Sequence, residues 1–96
     1  MADPLVNPIA EAATIGACLV DTDAVIFVAE ECGPADFSIP VHRWLADALW
    51  KCLSERTPPT RAAIIARLQA SKRWSDKNSV GAVCSVDIDN LMAATA

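Results

Sequence analysis

Prolines punctuate this chain at the points where a helix can begin or has to end. Pro8 follows a capping residue, Asn7, and Pro40 opens an amphipathic run, so each suits the first turn of a helix, where the N–H it lacks would have no partner anyway. Gly33 with Pro34, and Thr57 with Pro58 and Pro59, are stops, because the residue before a proline is pushed out of the helical region. The intervals between are filled by apolar residues at three- and four-residue steps, the signature of one buried helix face.

After an N-terminal tail over residues 1–6, a first helix is expected over residues 7–20, with Ile9, Ala12, Ala13, Gly16, Leu19 and Val20 on one stripe. Gly16 in such a stripe is worse than alanine by about 1 kcal/mol, which implies the close approach of another helix. Asp21 and Asp23 supply capping oxygens for a second helix whose face is Val25, Val28, Ala29 and Cys32, widened by Ile26 and Phe27 and ended by the glycine stop at Gly33. A third helix from Pro40 to near Glu55 carries the strongest repeat, Val41, Trp44, Leu45, Ala48, Leu49 and Cys52, with Trp50 at its edge or at an interface. Thr60 caps a fourth, with Ile64, Ile65 and Leu68 inward and Arg61 and Arg67 outward. Residues 70–85 read as a loop around Trp74 in which Val80, Val83 and Val86 have extended character, and a last helix over residues 87–94 offers Ile88, Leu91 and Met92 to the core. With no strand–helix alternation and no internal repeat, the expectation is one all-α domain over residues 7–96, a small bundle of about five helices.

Composition agrees with a globule. A chain of 96 residues, 53% hydrophobic and 21% charged, is too apolar for disorder and long enough to enclose one core. Its apolar stretches are interrupted before the roughly 18 residues a membrane span needs, and its start lacks the basic residues of a secretion signal, so a cytoplasmic protein without membrane attachment is expected. Cys18, Cys32, Cys52 and Cys84 form no C-x-x-C pair and share the chain with a single histidine, His42. Reduced thiols packing as small hydrophobes, and no metal site, follow from that spacing. The net charge of −4 argues against nucleic-acid binding by the domain as a whole. Its distribution is lopsided: residues 1–40 hold Asp3, Glu11, Asp21, Asp23, Glu30, Glu31 and Asp36 and no base, whereas residues 61–77 hold Arg61, Arg67, Lys72, Arg73 and Lys77 against Asp76. Such polarity can orient a partner or let copies pack acidic surface on basic surface.

Reactive constellations are sparse. His42 is the one candidate imidazole base for a cysteine or serine nucleophile, and a histidine in the first turn of a helix is more often a capping or packing residue than a catalyst. Neither G-x-x-x-x-G-K-[ST] nor G-x-G-x-x-G occurs, so no glycine-rich turn cradles a phosphate and no cofactor is expected. Glu30 and Glu31 are adjacent and diverge on a helix, which suits solvated charge better than paired acid–base work. Lys72, Arg73 and Trp74 are a weak basic–aromatic pattern, and the tryptophans are better read as packing or interface anchors.

The run IAEAATIGACLVDTDAVIFVAEECGPADFSIPVHRWLADALWKCL resembles the N-terminal domain of DnaB-type replicative DNA helicases. That family shows E-x-A-x-x-G-A-L-L, then D-x-D-A, then P-x-D-F-x-x-P-x-H-R and a helix. Residues 11–20, residues 21–24, and Pro34, Asp36, Phe37, Pro40, His42 and Arg43 fall in step with it without a gap, and the likeness extends through Pro58 and Thr60 to Leu68. Beyond Leu68, Gly81 and the segment around Leu91 and Met92 are what correspond to the family's glycine-rich turn and following helix.

The resemblance implies an orthogonal helical bundle of the DnaB N-terminal type, without the C-terminal helical hairpin, the linker helix or the ATPase motor. It also gives Asp36, Phe37, Pro40, His42 and Arg43 structural roles: Asp36 accepting from the exposed amides at the next helix start, Phe37 plugging the core, Pro40 fixing the entry, and His42 and Arg43 tying connector to helix. The implied function is a protein-interaction and assembly module of the primosome, without enzymatic activity of its own. Its partners would be copies of itself, as a dimer or part of a helicase ring, and a primase or helicase loader, with no direct contact to nucleic acid. Trp50, Arg61, Arg67, Arg73 and Trp74 are the candidates for a partner interface. The alternative is a free-standing phage or plasmid protein that uses this fold to bind and modulate a host helicase or primase.

Overall fold

Apolar faces of five α-helices meet around one core in the computed structural model, which describes residues 8–77 and 81–95. The helices are α1 (Pro8–Val20), α2 (Thr22–Glu31), α3 (Pro40–Ser54), α4 (Arg61–Ala70) and α5 (Ser85–Thr95), with a 3-10 turn, Pro34–Asp36, between α2 and α3. No strand occurs among the described residues, so the expected all-α bundle is what forms. The tail over residues 1–6, the Asn7 cap and Val80 lie outside the described residues. α1 packs most extensively on α5 and also touches α2 and α3, while α3 packs on α4, the 3-10 turn, α1 and α2. α1 and α3 are therefore the two central elements. Gly16 is buried in α1.

One of the expected faces is rotated and another is narrower than expected. In α1 the buried residues are Glu11, Ile15, Gly16 and Cys18, flanked by Ala12 and Leu19, whereas Ile9, Ala13 and Val20 are exposed. The helix PIAEAATIGACLV has apolar or small residues nearly all round, so periodicity sets its phase poorly. In α2, Val25 is buried and Val28, Ala29 and Cys32 are half-buried, but Ile26 and Phe27 do not widen that face; they point outward. α3 follows its expected repeat, with Leu45, Ala48, Leu49 and Cys52 buried and Ala46 and His42 added to them.

Caps fix most of the boundaries. Asp21 accepts from the Asp23 N–H at 3.0 Å to start α2, and Thr60 Oγ1 accepts from the Ala63 N–H at 3.2 Å to start α4. Gly33 does not close α2 by a left-handed turn; it is extended, with φ of −99°, and leads into the 3-10 turn. The left-handed positions fall instead on two basic residues. Arg56, at φ of 55°, follows α3 with Arg56 N–H on Leu53 O at 3.1 Å and Thr57 N–H on Cys52 O at 2.9 Å. Lys72, at φ of 62°, follows α4 with Lys72 N–H on Gln69 O at 3.1 Å and Arg73 N–H on Leu68 O at 2.8 Å. Both are Schellman endings, formed without the glycine that would have announced them.

The segment after α4 is tied down by backbone bonds: Ser75 N–H donates to Val83 O at 2.9 Å and Val83 N–H to Arg73 O at 2.7 Å, with Val83 fully buried. Val86 belongs to α5 and is exposed, so the expected extended run does not include it. α5 begins at Ser85 rather than at Asp87, because the Asp87 carboxylate turns back to accept from the Cys84 N–H at 3.0 Å.

Trp50 fastens α2 to α3. Its Nε1 donates to Cys32 O at 2.9 Å, satisfying a carbonyl at the end of α2, and its ring meets Phe37 edge-on at 6.4 Å. Replacing Trp50 by Phe keeps a ring and removes the donor. A loss of about 1 kcal/mol in urea denaturation, with an unchanged slope, is the expected result; unaltered stability would show that this bond does not hold the two helices together.

Candidate functional site

Glu11 stands in phase with Ile15 and Cys18 on the buried side of α1 and is 0% exposed. Its carboxylate crosses to the residues that lead into α3. Oε1 and Oε2 accept from the Ser38 N–H at 3.2 and 3.1 Å, Oε1 accepts from the Ile39 N–H at 3.2 Å, and the Ser38 hydroxyl donates to Oε2. His42, in the first turn of α3 and 6% exposed, places Nδ1 3.0 Å from Oε1. An ionised carboxylate only accepts, so the imidazole is assigned the tautomer with Nδ1–H.

Burial alone would push the Glu11 pKa up, yet the hydrogen bonds from the Ser38 hydroxyl, His42 and the Ile39 and Ser38 amides hold it at about 2, down from 4.5. A negative charge there also faces the positive end of α3. The N-cap of α3 is Ile39, which has no side-chain acceptor; Glu11, from another helix, accepts from the N–H of that residue and of the one before it.

Asp36 does not make the contact expected of it. Its Oδ2 accepts from the Gly33 N–H at 2.7 Å and closes the 3-10 turn, because that amide is the donor within reach of its own turn, while Glu11 serves the entry to α3. Phe37 is buried in the core and Pro40 is the first residue of α3. His42 ties α3 to α1 rather than to the connector, and Arg43 stands exposed on the outer side of α3.

The candidate interface residues do not share one patch. Trp50 joins α2 to α3 as described. Arg61 Nη1 pairs with Asp89 at 2.8 Å and Nη2 donates to Ser85 Oγ at 3.0 Å, clipping α4 to α5. Arg67 donates through Nη2 and Nε to Glu55 at 2.7 and 2.9 Å, clipping α4 to the end of α3. Trp74 is half-buried, with Nε1 donating to Asp76 at 3.3 Å. Arg73 lies over the Trp44 ring at 4.5 Å and donates to Gly81 O at 3.2 Å.

Arg73 also borders an open groove of about 550 Å³ whose other walls include Pro34, Pro40, Arg43, Trp44 and Asp47. A smaller, more apolar cleft of about 210 Å³ runs between α2 and the turn after α3, lined by Val25, Ile26, Leu53, Pro58 and Pro59 among others. Sequence reasoning missed Glu11 as a site residue. The available signal was its four- and seven-residue spacing to Ile15 and Cys18, which places an acid on the buried face.

The thiols behave as packing groups. Cys18, Cys52 and Cys84 are buried; burial, aided by the charges of Asp21 and Cys32, pushes the Cys18 thiol up to about 11, and burial also raises that of Cys52. Among the described residues no cluster of His, Cys, Asp and Glu is placed to hold a metal ion, and no helix is long and apolar enough to cross a membrane.

Fold and site together define a small all-helical domain whose two central helices are locked by a buried carboxylate. The family described as DnaB-like helicase N terminal domain matches residues 3–92, and the chain belongs to that family. What matches is the non-catalytic N-terminal domain of such a helicase, so the family implies a role connected with replicative helicases. Comparison with curated proteins and comparison with solved structures each return no match.

Replacing Glu11 by Gln leaves the shape and removes the charge that four donors converge on. At neutral pH the variant should lose about 3 kcal/mol. Because the folded-state pKa lies below the unfolded 4.5, the unfolded chain takes up the proton first. The stability Glu11 contributes is complete above about 4.5 and drains away as pH falls towards about 2. Urea midpoints measured across that window should fall more steeply for the parent than for Glu11→Gln; parallel curves would show that Glu11 is not held ionised.

Proposed function

We propose that this chain is a non-catalytic assembly module of a replicative DNA helicase, acting through association with copies of itself and through docking of a primase or loader. The observation that carries the reading is the division of its chemistry between inside and outside. Its sole imidazole is enclosed with a carboxylate that locks α1 to α3, a use that needs rigidity and no access for a substrate. The outside carries large apolar side chains: Ile26 and Leu53 line a cleft that a helix or loop of another protein can enter, and Phe27 stands exposed on the same helix as Ile26. Family membership supplies the context of a helicase assembly. The sequence's separation of acidic and basic stretches supports contacts guided by charge.

Light scattering on the chain alone, together with pull-down of the primase C-terminal domain and of the loader, tests the reading. At least one association, weakened by salt, is expected. Failure to associate with itself, with primase and with loader would overturn it.

A further inference from the structure

On the outer face of α2, Asp23, Phe27, Glu30 and Glu31 follow one another at four-, three- and one-residue steps, so three carboxylates surround one aromatic ring. All four are exposed, and Phe27 is 71% exposed, the ring being left in water by its own chain. Elsewhere on the surface, the groove between α3, the 3-10 turn and the segment after α4 has the opposite character. Arg43 and Arg73 stand exposed on its walls, and Pro34, Pro40 and Trp44 give it apolar faces. Its carboxylate, Asp47, is paired with Lys51 at 3.0 Å, so the two guanidinium groups set the sign of the groove.

We propose that this groove receives the Phe27 face of α2 from a second copy of the chain, the ring seated against Pro34 and Pro40 beside the Trp44 that Arg73 covers, and the carboxylates of Glu30 and Glu31 on Arg43 and Arg73. This rests on the reading that the domain associates with itself and names the two surfaces that meet. Complementarity of charge selects a second copy: the acidic helix face and the basic groove are both present on every molecule. Guanidinium–carboxylate pairs with an aromatic anchor between them are the kind of contact that gives an interface both orientation and strength. The two surfaces differ, so the contact is heterologous: each copy offers one of each, and molecules add head to tail until a ring closes or the chain of copies runs on.

Sedimentation velocity on the whole chain, at low and high salt, reads this directly. The parent should show concentration-dependent association that weakens with salt. Phe27→Ala with Glu30→Arg disables the helix face, and Arg43→Glu disables the groove. Each variant alone should associate about ten-fold or more weakly, with its thermal melting unchanged. Mixed in equal amounts, they should form a heterodimer that grows no further, since one retains the groove and the other the helix face. Should either variant melt early, Glu31→Arg and Arg43→Ala serve as milder replacements with the same expectation.

A parent that stays monomeric at concentrations up to about 1 mM overturns the proposal, and leaves docking of primase or loader to its own test. Association that neither variant disturbs, or a mixture that remains monomeric, overturns these surfaces while the assembly reading stands. Binding of an acidic peptide from another protein in the groove, without self-association, likewise rules out the second copy as its occupant.

Discussion

A carboxylate removed from water has to be met by donors or it takes up a proton, and Glu11 is met from three sides. The backbone of Ser38 and Ile39, the hydroxyl of Ser38 and the ring of His42 all converge on it. These groups belong to the connector and to the first turn of α3, whereas Glu11 belongs to α1, so one charge sets where α3 begins relative to α1. Much else depends on that placement. Phe37, immediately before Ser38, enters the core; Trp50, further along α3, reaches the carbonyl of Cys32, which follows α2; and the outer side of α3 forms a wall of the larger groove. Hydrogen bonds to an ionised group are worth more than neutral ones, and a buried charge that loses its donors is costly, so the cluster is effective only as a complete set.

The parts of the fold that were legible in the sequence are those where a residue type has one physical meaning. Pro40 in a first turn, Thr60 and Asp21 as caps, and the apolar repeat of α3 each act through local sterics or local hydrogen bonds, and each does what its chemistry dictates. The face of α1 was not legible, because alanines, a glycine and aliphatic residues surround that helix and leave no polar side to define an inside. The acid that would have fixed the phase was the residue buried. Likewise the ends of α3 and α4 rest on Arg56 and Lys72 in a left-handed conformation that glycine would have signalled and basic residues do not.

The site was legible in outline and misread in detail. The motif around Asp36, Phe37, Pro40, His42 and Arg43 marks the place where connector and helix meet, but its hydrogen-bond partner lies 27 residues or more upstream, beyond what local spacing reveals. The arginines of the basic stretch were read as surface charge. Arg61 and Arg67 instead bridge α4 to α5 and to the end of α3, and Arg73 fastens the following segment over Trp44. The basic stretch thus serves partly to hold the bundle together, through Glu55 and Asp89 rather than through the acidic N-terminal stretch, while the acidic face of α2 and the groove beside Arg43 stay exposed.

The central claim is that Glu11 stays ionised inside the fold because the donors around it outweigh its removal from water. Carbon NMR of its side-chain carboxyl, followed through acid pH in the folded protein, reads that balance without altering a residue. A titration midpoint well below 4.5 is expected; a midpoint at or above 4.5 would mean that burial prevails and that the carboxylate does not hold α1 and α3 together.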